Sequence, residues 1–346
     1  MSPHNPTMRQ LTFVKPHVVE WWEVADPVLR GDGEALVRPV VVANCDLDRL
    51  IISGQFPIPG AFALGHEFIA TVVEIGDAVS TVRPGDTVIV PFQVSCGECD
   101  RCTAGLTGSC RAVKRGSAYG LGPVGRGEWG GALSDIVRVP YADAMLVALG
   151  ATSPLAALAS VSDNLPDAFR TVAGPLREHP GAPVLIVANG YGSIPLYAAD
   201  MAGALGAATV DYVDTSRSRL ELAGHLGAAP REGREAIGRT RYPIVVDCTA
   251  DPAGLAFCLR HVEPGGICTS IGIYLADVAV PMLEMYTTGM TFRTGRVDAR
   301  PLIPEIVALV SEGRLHPQLV NSDVVAWEEA PAAMLDLPTK VVIRRD

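Results

Sequence analysis

Between Ala35 and Pro91, apolar residues come in short runs such as Ala35-Leu-Val-Arg-Pro-Val-Val-Val42 and Thr87-Val-Ile-Val90, broken by turns such as Arg83-Pro-Gly-Asp86. Short runs bounded by Gly, Pro and Asp read as strands, so this half of the chain is expected to be mainly β. From Ala156 the rhythm changes to apolar strands alternating with Ala- and Leu-rich helical stretches. The strand candidates are Val184-Leu-Ile-Val187, 209–213, 244–246 and 268–271, with a helix over 196–205 between the first two. Such alternation implies right-handed βαβ units and a parallel sheet. Beyond about Gly295 the pattern predicts a helix over 302–312 and a last strand over 340–343, a tail expected to return to the first domain.

The chain has 346 residues, enough for about two domains with full cores. Hydrophobic residues at 48% and charged residues at 19% exclude bulk disorder. The net charge of −10, with no Lys/Arg-rich run, argues against nucleic-acid or anionic-lipid partners. Residues 144–162 carry no charge, but Gly150, Thr152, Ser153 and Pro154 interrupt them. A buried strand, turn and helix account for the stretch better than a membrane span. Residues 1–10 are polar and hold two prolines, which predicts neither a secretory signal nor a transit peptide. A cytoplasmic protein with reduced thiols is expected.

Four of the eight cysteines, Cys96, Cys99, Cys102 and Cys110, crowd into one glycine-loosened loop. Tetrahedral zinc takes four thiolates, and C-x-x-C turns let neighbouring ligands converge on one ion. These four predict a structural zinc site with no open coordination position. Cys45, His66 in Gly65-His66-Glu67, and Asp163 in Ser160-Val-Ser-Asp163-Asn are each weak signals alone. Each has an ordinary explanation, as a core thiol, a packed imidazole and a helix cap. A further signal is Val184-Leu-Ile-Val-Ala-Asn-Gly190-Tyr-Gly192-Ser-Ile-Pro195, a strand followed by G-x-G-x-x-P. There the first glycine makes a tight turn and the second admits a pyrophosphate to a helix N-terminus. Pro195 replaces the usual third glycine and is tolerable in a first helical turn. Asp214, 22 residues after Gly192, stands where a carboxylate binds the ribose hydroxyls of NAD and repels the 2′-phosphate of NADP.

Taken together, these motifs resemble those of the zinc-dependent alcohol dehydrogenases of the medium-chain dehydrogenase/reductase superfamily. The anchors are Cys45 with Asp48, Gly65-His66-Glu67 followed by Val72-Val-Glu-Ile-Gly76, the Gly85-Asp86 turn, the cysteine lobe and the glycine-bearing βαβ start. The resemblance implies an α/β fold, a chaperonin-10-like (GroES-like), β-rich catalytic domain over 1–155, completed by 296–346. A Rossmann domain with a doubly wound parallel sheet is implied over 156–295. It implies that Cys45, His66 and Asp163 hold a catalytic zinc, the second Zn²⁺ of the chain. Glu67 would lie beside that metal, and Asp48 would orient His66. Phe92 and Leu47 would line the substrate pocket. Ile271 and Ile273 would lie at the nicotinamide, and Lys340 would meet the cofactor phosphates. Three protein ligands leave one position where Zn²⁺ can polarise an alcohol or carbonyl oxygen.

The chain departs from the family pattern at the proton relay. Leu47 and Leu50 stand where the family commonly has a hydroxyl and an imidazole. The implied function is an NAD-dependent oxidoreductase interconverting a secondary alcohol or polyol with a carbonyl, acting as a homodimer or homotetramer. The alternatives are a zinc-containing reductase of an activated C=C or iminium group, for which no such relay is needed, and a non-catalytic zinc-binding protein of the same fold.

Overall fold

The computed structural model describes residues 7–321, 323–336 and 338–345, so the first six residues of the polar start lie outside the described residues. The chain forms two compact units. The first runs to Pro166 and includes Asp298–Ser311 and the stretch from Asn321; the second comprises Asp167–Val297 and Glu312–Val320.

The first unit holds strands β1 (Thr7–Lys15), β2 (Val18–Ala25), β3 (Ala35–Ala43), β4 (Phe62–Ala63), β5 (Glu67–Ile75), β6 (Thr87–Val90), β7 (Val137–Val139) and β8 (Val147–Ala148). β1 pairs with β2 and β4 in an antiparallel sheet. β3, β5, β6 and β8 run antiparallel in sequence across a second sheet, with β7 also on β3. β3 is buried along most of its length, as expected of a strand flanked on both sides by others.

The second unit holds β9 (Val184–Val187), β10 (Val210–Asp214), β11 (Ala229–Glu232), β12 (Tyr242–Asp247), β13 (Val262–Ser270) and β14 (Thr291–Thr294). They form one parallel sheet in the order β11-β10-β9-β12-β13-β14. This is the doubly wound sheet expected from the strand and helix alternation. Its order reverses between β9 and β12, the switch point beyond whose carboxyl ends such sheets bind ligands. β9 is wholly buried, while β11 is a largely exposed edge strand of sequence Ala-Pro-Arg-Glu. That polarity is why the apolar pattern did not reveal β11.

Two strands complete the first unit from the chain's end, β15 (Asp323–Ala326) and β16 (Val341–Arg344). β16 lies antiparallel on β3, with Val342 opposite Ala43, and carries β15 in parallel at the sheet's edge.

One local expectation fails. The helix predicted before Asp163 is a run of turns instead, and the helix begins at Asn164 (Asn164–Glu178). Tertiary bonds hold this run open: the Ser162 hydroxyl both accepts from the Phe68 amide at 3.1 Å and donates to the Phe68 carbonyl at 3.0 Å. The Phe92 amide also donates to the Ser162 carbonyl. Among the described residues, no helix is long and apolar enough to cross a membrane.

Candidate functional site

The first unit brings Cys45, His66, Glu67 and Asp163 together, with one ligand atom of each within 4.8 Å of all the others. Each is positioned by a different device. Cys45 caps the helix Asp46–Ile52; its amide donates to Asp48 Oδ2 at 2.8 Å, closing a capping box. His66 follows Gly65, whose φ of +89° suits glycine, and a Cβ there would lie 2.9 Å from the Leu133 amide nitrogen. Glu67 opens β5. Asp163 and Asn164 are held by the Ser162 clamp onto Phe68.

The orientations suit a metal. His66 Nε2 faces Asp163 Oδ2 at 3.4 Å, and Cys45 Sγ lies 3.2 Å from the same oxygen. On the other side of the ring, His66 Nδ1 and Asp48 Oδ1 face each other at 4.0 Å. Both of these buried atoms lack a hydrogen-bond partner. A cation drawing on Nε2 would fix the proton on Nδ1, where Asp48 is placed to accept it. Phe92 is buried, with its ring centred 6.0 Å from that of His66.

Charge points the same way. Burial, reinforced by Asp163, Glu67, Asp48 and Asp46, pushes the Cys45 thiol well above its ordinary value. Burial also lowers His66, but Asp48, Asp163 and Glu67 outweigh it and hold the imidazole above its usual range. Glu67 is pushed up to about 8 by burial, with Lys340 offsetting part of the effect. The Cys45 thiol and the carboxylates of Asp163 and Glu67, buried this close, repel one another when ionised, and a divalent cation removes that cost.

Lys340 differs from the sequence expectation. Its ammonium is wholly buried and donates to both carboxylate oxygens of Glu67, at 3.2 and 3.1 Å, and to the Asn44 carbonyl. Asn44 Oδ1 in turn accepts from the Val341 amide at 2.7 Å. The lysine is thus a buried counter-ion of Glu67 beside Cys45, His66 and Asp163, and its ammonium is not exposed to meet a cofactor phosphate. A lone lysine before a strand carries no sequence signal of such burial. The polar residues Ser160, Ser162 and Asn164 did carry one, as an interruption of an otherwise apolar run. Leu47 is half-buried, and its amide donates to Cys45 Sγ at 3.5 Å.

The second cluster lies in the same unit. The sulfurs of Cys96, Cys99, Cys102 and Cys110 all lie within 4.8 Å of one another, and Cys96 and Cys102 are 4.0 Å apart. None of the eight cysteines forms a disulfide. Sulfurs bonded at ~2.3 Å around a tetrahedral ion would be roughly 3.8 Å apart, so this loop fits a metal with little movement. The Arg111 amide donates to Cys99 and, with neighbouring amides, lowers that thiol to about 6, whereas burial raises Cys102 and Cys110.

In the second unit, Gly190 and Gly192 follow β9 with φ of +79° and +85°, a turn that side-chain-bearing residues rarely adopt. Pro195 lies in the first turn of the helix Ile194–Ala204. Asp214 ends β10 with its carboxylate fully engaged. Oδ1 accepts from the Thr215 and Ser216 amides, and Oδ2 from Arg219 Nε at 2.9 Å and the Tyr212 hydroxyl. A ribose diol would have to share or displace these donors. Ile271 is half-buried and Ile273 exposed.

Residues 31–149 match the model of the alcohol dehydrogenase GroES-like domain. A probable zinc-binding alcohol dehydrogenase of Mycobacterium tuberculosis is 30% identical over 316 residues, 88% of this chain and 79% of the relative. A glutathione-independent formaldehyde dehydrogenase of Pseudomonas aeruginosa is 35% identical over 267 residues, 71% of this chain and 65% of the relative. Among solved structures, the alcohol dehydrogenase TADH from Thermus sp. ATN1 superposes with a TM-score of 0.88 at 29% identity, covering 98% of this chain and all of that one.

If Lys340 serves as the buried partner of Glu67, Lys340→Met removes the cation that offsets burial, raises the Glu67 pKa further and is expected to destabilise the protein increasingly as the pH rises above the ordinary carboxylate range. The measurement is the denaturation midpoint. An unchanged midpoint with weakened dinucleotide binding would restore the phosphate assignment.

Proposed function

Because the chain belongs to the zinc-dependent alcohol dehydrogenase family of the medium-chain dehydrogenase/reductase superfamily, we propose that it transfers a hydride between NAD(H) and a secondary alcohol, polyol or carbonyl substrate. The observation that carries this reading is the buried Cys45–His66–Asp163 cluster, which offers three ligands with Glu67 alongside. Zinc held there supplies a Lewis acid for the substrate oxygen, and NAD supplies the hydride acceptor. Cys45, His66 and Asp163 would hold that ion, with Asp48 fixing the His66 tautomer and Lys340 holding the Glu67 carboxylate in place. Leu47 and Phe92 would present apolar surface to the substrate. Cys96, Cys99, Cys102 and Cys110 would hold a second, structural zinc. Gly190 and Gly192 would let the cofactor pyrophosphate approach the helix that follows, with Ile271 and Ile273 near the nicotinamide.

The division into a catalytic part, 1–155 with 296–346, and a nucleotide-binding part, 156–295, belongs to the same proposal, as does a cytoplasmic location. So does assembly as a homodimer or homotetramer, which the exposed apolar side chains of Leu275, Met282, Leu283 and Tyr286 favour.

Metal analysis of freshly purified protein is expected to approach two zinc equivalents. Cys99→Ser should lower the folded yield, because a structural zinc contributes folding free energy. Asp163→Asn should leave the yield intact and remove most turnover with alcohols and NAD. Loss of solubility with normal turnover in the Asp163 variant would refute its role as a ligand.

NAD is expected to bind more tightly than NADP by about 1–3 kcal/mol, because a 2′-phosphate at the end of β10 meets the Asp214 carboxylate. Asp214→Ser should narrow that gap, since it also releases Arg219 to meet a phosphate. Fluorescence titration with NADH and NADPH reads both affinities. Tighter NADPH binding by the unaltered protein would overturn the assignment.

Oxidation requires the substrate hydroxyl to lose its proton, and position 47 offers no hydroxyl to carry it. Turnover is therefore expected to climb with pH, and Leu47→Thr should raise the rate at neutral pH. Should Leu47→Thr abolish turnover while metal and NAD still bind, Leu47 is a substrate contact and the reductase reading takes precedence.

A further inference from the structure

The Cys45 sulfur has two oxygens in reach, Asp163 Oδ2 at 3.2 Å and Asn164 Oδ1 at 3.3 Å. A thiol has one proton and can donate it to only one of them. A sulfur that ligates a metal is a thiolate with no proton to give. The Asn164 amide oxygen would then set its lone pairs against those of the sulfur, an arrangement that repels. Half a turn of the carboxamide exchanges Oδ1 for Nδ2, which is nearly the same size, and places an N–H donor on the sulfur.

We propose that Asn164 is a positioning residue whose carboxamide N–H hydrogen-bonds the Cys45 sulfur when a metal occupies the Cys45–His66–Asp163 cluster. The inference rests on the metal-site reading above and adds a residue to it. Asn164 is well placed for the task. It is 1% exposed, opens the helix Asn164–Glu178 and follows the Ser162 clamp by two residues, so its side chain is carried on backbone tied to β5. Leu47 contributes a second donor, its backbone amide 3.5 Å from the same sulfur. Two N–H donors draw electron density from the thiolate, which leaves the metal a stronger Lewis acid, and they fix the sulfur's direction. The competing role, Asn164 Oδ1 as a metal ligand, would bring the cluster to four protein ligands and close the position that a substrate needs.

The test is cadmium-113 NMR of the full-length protein with both clusters loaded. Cadmium resonances move with the number of sulfur ligands, so the one-thiolate cluster and the four-cysteine cluster are resolved. Asn164→Leu removes the donor while keeping the same number of side-chain heavy atoms, and Asn164→Asp replaces it with an acceptor. Both variants are expected to retain cadmium and to displace the one-thiolate resonance, while the four-thiolate resonance stays within its linewidth. Asn164→Ala serves as a second donor-free variant and reads the same way if the leucine is not accommodated. A one-thiolate resonance that does not move in these variants overturns the proposal. Loss of cadmium from the donor-free variants with retention in Asn164→Asp overturns it as well, in favour of a ligating oxygen. A native protein that shows the four-thiolate resonance alone would instead refute the catalytic metal site on which the inference rests.

Discussion

The first unit gathers Asp48, Glu67 and Asp163 in its interior beside a thiol and an imidazole, and the cost of that charge governs the local design. Ionised carboxylates at such distances raise one another's pKa values, and burial raises them further. The protein answers part of this with Lys340, which closes on Glu67, and part with amide donors, such as the Cys45 N–H on Asp48. What is left unanswered lies between Cys45, His66 and Asp163, where a divalent cation fits.

The two cysteine-bearing clusters solve different problems. The four-cysteine loop is local, exposed in part and joined by backbone amides, so a metal there would hold a loop that has little core of its own. The Cys45 cluster draws on three distant segments, each anchored by neighbouring structure: a capped helix, a glycine turn before β5 and a run of turns clamped to Phe68. Its rigidity comes from the fold and not from a single loop.

The tail of the chain is part of that site. β16 lies antiparallel on β3, and this pairing carries Lys340 to Glu67 and engages Asn44, the residue before Cys45. Sheet pairing, counter-ion and the Cys45–His66–Asp163 cluster are therefore coupled, and a change that frees the last strand would also unbalance the buried carboxylates.

What the sequence determined by itself is what spacing determines. Cys96, Cys99, Cys102 and Cys110 are near neighbours in the chain, so their convergence follows from one loop. The turn at Gly190 and Gly192 follows from a strand, two glycines and a helix in succession. Cys45, His66 and Asp163 were legible through resemblance, because residues so far apart have no local geometry to link them. The tertiary structure alone decided three things. It buried Lys340 on Glu67, engaged Asp214 with Arg219 and Tyr212, and turned Asn164 toward Cys45. In each case a polar side chain found its partner through packing of separately formed elements. Such partners follow from the low-dielectric interior, where a charge without one is costly, and the linear pattern of residues does not specify which one it will be.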